Sequence, residues 1–155
     1  VDPHTGLLTT TQFFGAVWGA SNYTYVEASL SQELPNWIGA HVRALEYFGR
    51  APHVWTPDNL KSGVTRACFY EPEINRSYGD MAAHYGGVVL PARPLHPKDK
   101  AKVEAGVLIA KRWILSVLRH RRFFNLQELN VAIWELLKKL NTRPLRKMKK
   151  SRREK

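Results

Sequence analysis

Only one cysteine, Cys68, occurs in the 155 residues, so no disulfide can close within the chain and a reducing cytoplasm is the expected setting. Long apolar runs and a signal-peptide pattern are also missing, which predicts no membrane association. The six histidines (His4, His41, His53, His84, His96 and His120) fall at no ligand spacing, and no zinc site is expected. A glycine-rich phosphate loop, a serine-centred nucleophile elbow and an internal repeat are absent as well. Acid is scarce: 13 Asp and Glu stand against 24 Lys and Arg, giving a formal charge of +11. An excess of that size points to a polyanionic partner, and without an apolar anchor nucleic acid is favoured over a membrane surface.

What the chain does have is a hydrophobic fraction of 44% with five tryptophans, enough for one domain with a proper core. The charge is uneven. Residues 143–155 hold eight basic residues against Glu154, which leaves only +4 for residues 1–142. This divides the chain into a core, 1–142, and a basic C-terminal tail, 143–155, whose bland reading is a disordered, solubilising end.

Asp2 to Gly6 reads as a turn between strands. Residues 11–20 are apolar on both faces, Ser21-Asn22 turns the chain, and residues 23–30 return as the second strand of a hairpin. Glu27 on that return strand is expected to be solvated. Residues 31–48 carry Leu34, Ile38, His41, Leu45 and Phe48 on one stripe, with Pro35 in the first turn and Gly49 at the end, as an amphipathic helix requires. His41 is expected to be a packed core histidine. Residues 53–56 form a short strand ending at Pro57-Asp58-Asn59. Asp58 there stands where α/β sheets place ligands, or else Asp58 or Asn59 caps the next segment.

Asn75 can cap a helix ended by Gly86-Gly87, after which Val88-Val89-Leu90 is expected to be a buried strand; strand, crossover and strand imply parallel pairing. A proline-stiffened loop, 91–98, leads to a helix running to about Arg119. Its expected buried stripe is Val103, Val107, Ala110, Ile114 and Val117. Lys100, Glu104, Leu108 and Lys111 share the neighbouring face, either a solvated salt-bridge face or a carboxylate beside cations that meets metal and phosphate. A last helix is capped by Asn125 with Glu128 three residues on, buries Leu129, Ile133, Leu136, Leu137 and Leu140, and stops at Asn141 and Pro144.

Three stretches in order, Gly19 to Ala28, Pro57 to Val64 and Asp99 to Glu104, resemble the IstA-type bacterial insertion-sequence transposases, which carry a DDE core like that of retroviral integrases. The match runs in register from Val1 to about Lys147. It implies an α/β, ribonuclease-H-like fold with a central mixed sheet flanked by helices, its first strand missing or incomplete. Forty-five residues separate Asp58 from Glu104, similar to the family's spacing between its second and third catalytic acids, and those roles are carried onto these two residues. The family's first catalytic Asp lies on a strand ahead of the hairpin, and Asp2, in its turn, does not match it. The resemblance therefore implies a core fragment that is inactive alone.

The same resemblance implies Mg2+ or Mn2+ as cofactor, since hard divalent cations take oxygen ligands and two ions roughly 4 Å apart stabilise both the entering and the departing oxygen of a phosphoryl displacement. DNA, as element ends and target, is the implied partner. Asn59, Lys61, Lys100, Lys102, Lys111, Arg146, Lys147, Lys149 and Lys150 are its candidate contacts. An AAA+ ATPase helper, homo-oligomers on DNA and a nucleoid-associated cytoplasmic location are implied too. Two alternatives stay beside the enzyme core: a non-catalytic, salt-sensitive nucleic-acid binder and a helper-interaction module.

Overall fold

A computed structural model describes residues 1–57, 64–66, 73–90, 97–145 and 149–154. The described chain is mixed α/β, in the order β1 (Gln12–Val17), β2 (Thr24–Ser29), α1 (Leu34–Phe48), β3 (Val54–Trp55), β4 (Val64–Arg66), β5 (Glu73–Ile74), α2 (Arg76–His84), β6 (Val88–Val89), α3 (Pro97–Leu118) and α4 (Leu126–Thr142). It divides into two compact units, one of residues 1–31 and 102–155 and one of residues 32–101. Among the described residues no helix is long and apolar enough to cross a membrane.

In the first unit β1 and β2 pair antiparallel, with Phe14 opposite Glu27 and Ala16 opposite Tyr25. Asn22 makes the expected turn by adopting φ 55°, a left-handed conformation that asparagine tolerates better than most residues. Helix α3 lies close on β1 through two reciprocal glycine contacts. A Cβ on Gly15 would fall 2.9 Å from Val107 Cγ2, and a Cβ on Gly106 would fall 2.9 Å from Val17 Cγ1. Each glycine makes room for the valine of the other element, which sets the depth at which α3 sits. Ala110, Ile114 and Leu118 are buried, whereas Val117 is 48% exposed. Leu118 thus replaces Val117 in the expected stripe, the buried face continuing by four-residue steps from Ala110 through Ile114 to Leu118.

Helix α4 forms as its sequence dictates. Asn125 Oδ1 accepts from Glu128 N at 2.8 Å, and Glu128 Oε2 accepts from Phe124 N at 3.1 Å. Ile133, Leu136, Leu137 and Leu140 are buried. Two asparagines of α4 reach the outer edge of β2. Asn141 Oδ1 accepts from Thr24 N at 3.2 Å while its Nδ2 donates to Thr24 O at 2.7 Å. Asn130 repeats the arrangement on Ala28, at 2.7 and 2.9 Å. Eleven helical residues rise about 16 Å and four strand residues about 13 Å, so the two side-chain amides can serve as a strand partner at both ends of β2. Asn141 is therefore a buried clamp as well as a helix end.

The second unit is built on α1, β3, α2 and β6. Strands β3 and β6 pair parallel, as the crossover predicts, with Val54 opposite Val88 and Trp55 opposite Val89. Val88 and Leu90 are 57% and 56% exposed, which corrects the expectation of a buried strand: this two-residue pair covers one face only. Strands β4 and β5 add an irregular antiparallel pair, Val64 opposite Ile74, that the sequence did not suggest. Helix α1 ends at Gly49, whose φ of 68° and amide bonds to Glu46 O and Leu45 O make an αL cap. Its buried residues are Trp37, Ala40, Ala44 and Leu45, so the buried face is rotated from the expected stripe toward tryptophan and two alanines.

Candidate active site

Of the two candidate acids, Glu104 is described. It sits in the second turn of α3, exposed, two residues before the Gly106 that fits against Val17. The close glycine contact fixes the helix, and the helix carries the carboxylate out to solvent. Lys111, two turns on, is exposed as well, and Leu108 between them is 45% exposed. Lys100 and Lys102 lie on α3, in the turns around Glu104. Asp58, Asn59 and Lys61 lie outside the described residues, as do Arg146, Lys147 and residues 91–96.

The other acids near the amino end are committed elsewhere. Asp2 caps its own turn, accepting from His4 N at 2.8 Å and Thr5 N at 3.0 Å, and these backbone bonds hold its carboxyl below the ordinary carboxylate range. Glu27 corrects the sequence reading: it is 2% exposed, and its Oε2 accepts from the Tyr25 hydroxyl at 2.5 Å. Alternation along a strand covered on both faces cannot tell a buried acid from a solvated one, and only the Tyr25 partner two residues away on the same face hinted at it. Among the described residues no three His, Cys, Asp or Glu side chains gather where a metal ion could sit.

The described residues of the basic tail, 143–145 and 149–154, are held by hydrogen bonds. Pro144 and Ser151 form a bridge, Leu145 N donates to Lys150 O at 2.9 Å, and Arg153 N donates to Asn141 O at 3.2 Å. Arg152 Nη1 donates to Leu140 O at 2.9 Å, so a cation satisfies a carbonyl in the last turn of α4, where the helix dipole favours it. Burial, then the neighbouring Arg143, pulls the Arg152 guanidinium below its ordinary value. Ser151 is buried and exchanges bonds with Glu154: Ser151 N to Oε2 at 2.8 Å, and Glu154 N to Ser151 Oγ at 3.2 Å. Lys149 and Lys150 project from this turn, exposed, Lys149 at φ 52°.

The class of protein follows from the fold. The chain superimposes on retroviral integrase catalytic cores: on the catalytic core domain of BIV integrase with a TM-score of 0.68, 12% identity, 92% of this chain and 82% of that one, and on the HTLV-2 integrase catalytic core domain in complex with magnesium with a TM-score of 0.68, 17% identity, 93% and 83%. It shares their ribonuclease-H-like fold.

Sequence then narrows the class to a family. A protein of Sinorhizobium fredii named as a transposase is 50% identical over 154 residues, 99% of this chain and 30% of the relative. Those named for insertion sequence IS408 of Burkholderia multivorans and IS1162 of Pseudomonas fluorescens are 48% and 44% identical over 91% and 99% of this chain. The chain belongs among the insertion-sequence transposases, and it spans 27–30% of the length of these three relatives. No family model matches it.

Proposed function

We propose that this chain is the part of a DDE-type transposase core that carries the second and third catalytic acids, Asp58 and Glu104, for metal-dependent cleavage and strand transfer of DNA in transposition. Kinship with insertion-sequence transposases over nearly the whole chain, joined to an integrase-core fold with Glu104 exposed on a helix locked against β1, is the observation that carries this reading.

The donor chemistry fits Mg2+ or Mn2+. Asp58 and Glu104 are hard oxygen ligands, and no soft or imidazole cluster competes among the described residues. A divalent ion held there would polarise a phosphodiester and lower the pKa of an attacking water or 3′-hydroxyl. For the rest, this chain orients and neutralises: Lys100, Lys102 and Lys111 on α3, with Asn59 and Lys61 after Asp58, hold phosphates in line beside the carboxylates.

Asp2 is held in its turn and Glu27 is buried against Tyr25, so neither supplies the third carboxylate of a DDE set. On this reading the 155-residue chain alone is expected to be inactive in strand cleavage. Calorimetric Mn2+ titration tests the ligand set: binding is expected to be lost in both Asp58→Asn and Glu104→Gln. Magnesium-dependent nicking by the isolated chain, abolished by Asp58→Asn, would instead show a complete site.

A second reading has its own observation, the ordered turn that presents Lys149 and Lys150. A folded basic turn holds phosphates at lower entropic cost than a disordered tail, so the chain binds DNA whether or not it cuts. Binding that survives Glu104→Gln is expected on this account.

A further inference from the structure

Positive charge is distributed unevenly within the core as well as between core and tail. Residues 105–127 hold Lys111, Arg112, Arg119, Arg121 and Arg122 and no Asp or Glu, a net of +5. Residues 1–142 total only +4, so without this stretch the core comes to −1. The core's positive excess therefore lies in the second half of α3 and the loop that follows it. All five cationic residues are exposed.

That loop is held in one shape. Arg119 N donates to Leu115 O at 3.0 Å and Arg121 N to Leu118 O at 2.9 Å, while the Val1 amino group donates to Phe123 O at 2.8 Å. Two of its guanidinium groups are oriented by neighbours that bear no negative charge. Arg119 Nε donates to His120 Nε2 at 3.0 Å, which leaves the paired Nη groups for another acceptor, and Arg121 lies over the Phe123 ring at 5.0 Å. The helix dipole accounts for one cation after Leu118, not for three guanidinium groups in four residues. Among the described residues, none of Arg112, Arg119, Arg121 and Arg122 forms an ion pair. Glu128, the nearest carboxylate in sequence to the loop, accepts from Phe124 N at 3.1 Å. Like charges gathered without counter-charge repel one another, and an anion with several acceptor oxygens offsets that cost.

With 3.6 residues per turn, Lys111, Arg119 and Arg112 fall about −20°, 60° and 80° around α3 from Glu104, and Arg119 lies about 22 Å farther along the axis. Arg112 and Arg119 thus stand on the side away from Ala110 and Ile114, which are buried. Duplex DNA advances about 3.4 Å per base pair, so a duplex laid along that side reaches the loop roughly six or seven base pairs from the carboxylate. We propose that Arg119, Arg121 and Arg122, with Arg112 two turns earlier on α3, form a DNA-binding site of their own that grips duplex phosphates at the far end of the helix from Glu104. This rests on DNA being the partner, and on neither metal binding nor cleavage.

The test is the salt dependence of duplex-DNA binding by the 155-residue chain, read by fluorescence anisotropy. Arg121→Gln with Arg122→Gln is expected to weaken binding and to reduce the slope of log affinity against log salt by about two. Lys138→Gln with Lys139→Gln removes the same charge from exposed positions on α4 and is expected to leave the slope unchanged. Arg121→Lys with Arg122→Lys keeps both charges and is expected to restore it. That pattern supports the inference. If the α4 pair matters as much as the loop pair, if the loop pair does not matter, or if lysine recovers nothing, the inference falls and the DNA reading stands. A parent chain that does not bind duplex DNA overturns both. Should the loop glutamine pair fail to fold, Arg119→Gln alone, expected to reduce the slope by about one, decides.

Discussion

Gly106 shows how a single residue sets competing effects against each other. Alanine inside a helix gains about 1 kcal/mol over glycine, but here the added Cβ meets a stiff β-branched side chain of β1, and such overpacking costs about 1–3 kcal/mol. Gly106→Ala is therefore expected to lower stability in urea unfolding, and Gly106→Ala with Val17→Ala should recover part of the loss. Glu154 gives a prediction in pH. Bonds from the Ser151 backbone and then its side chain, with Lys150 nearby, hold its carboxyl below the ordinary value of 4.5. A depressed carboxyl contributes fully above 4.5 and loses its contribution as pH falls through the lower folded value. The Ser151 amide resonance, followed on acidification, is expected to shift with a midpoint below 4.5. At this scale sequence was a poor guide: nothing local in Tyr-Val-Glu marks Glu27 as buried, and nothing local in Leu-Asn-Thr marks Asn141 as a clamp.

Elements were far more legible. The hairpin was written in Ser21-Asn22, the last helix in Asn125 and Glu128, and the parallel pairing in the strand, crossover and strand order, because turn chemistry and capping act over three or four residues. Strands β4 and β5 escaped because their irregular pairing leaves no alternation to read, and the buried face of α1 was misjudged because Trp37 outweighs the leucine stripe in buried area. Of the candidate site, Glu104 could be placed on an exposed helix face from periodicity alone. Asp58 could be placed only by its position after a strand. The α4 asparagines supply the element-scale prediction. Asn141→Ala strands a buried N–H and C=O of Thr24, at about 1–3 kcal/mol each, so a loss of about 2–6 kcal/mol is expected from thermal or urea unfolding. Asn130→Ala, at the less buried end, is expected to cost less.

For the whole molecule the charge matters most. Each lysine engaged with phosphate steepens the dependence of log affinity on log salt by about one unit of slope. Replacing Lys149 and Lys150 by glutamine is therefore expected to reduce that slope by about two in fluorescence-anisotropy titrations with duplex DNA, with little dependence on its sequence. An unchanged slope would remove the turn from the DNA interface.

The two asparagine amides have one more effect. By occupying the backbone donors and acceptors of Thr24 and Ala28, they take from that margin of β2 two of the places where a neighbouring polypeptide would zip alongside. Edge-to-edge pairing of two copies along this strand is therefore disfavoured, and the strand is a poor template for fibrous aggregation.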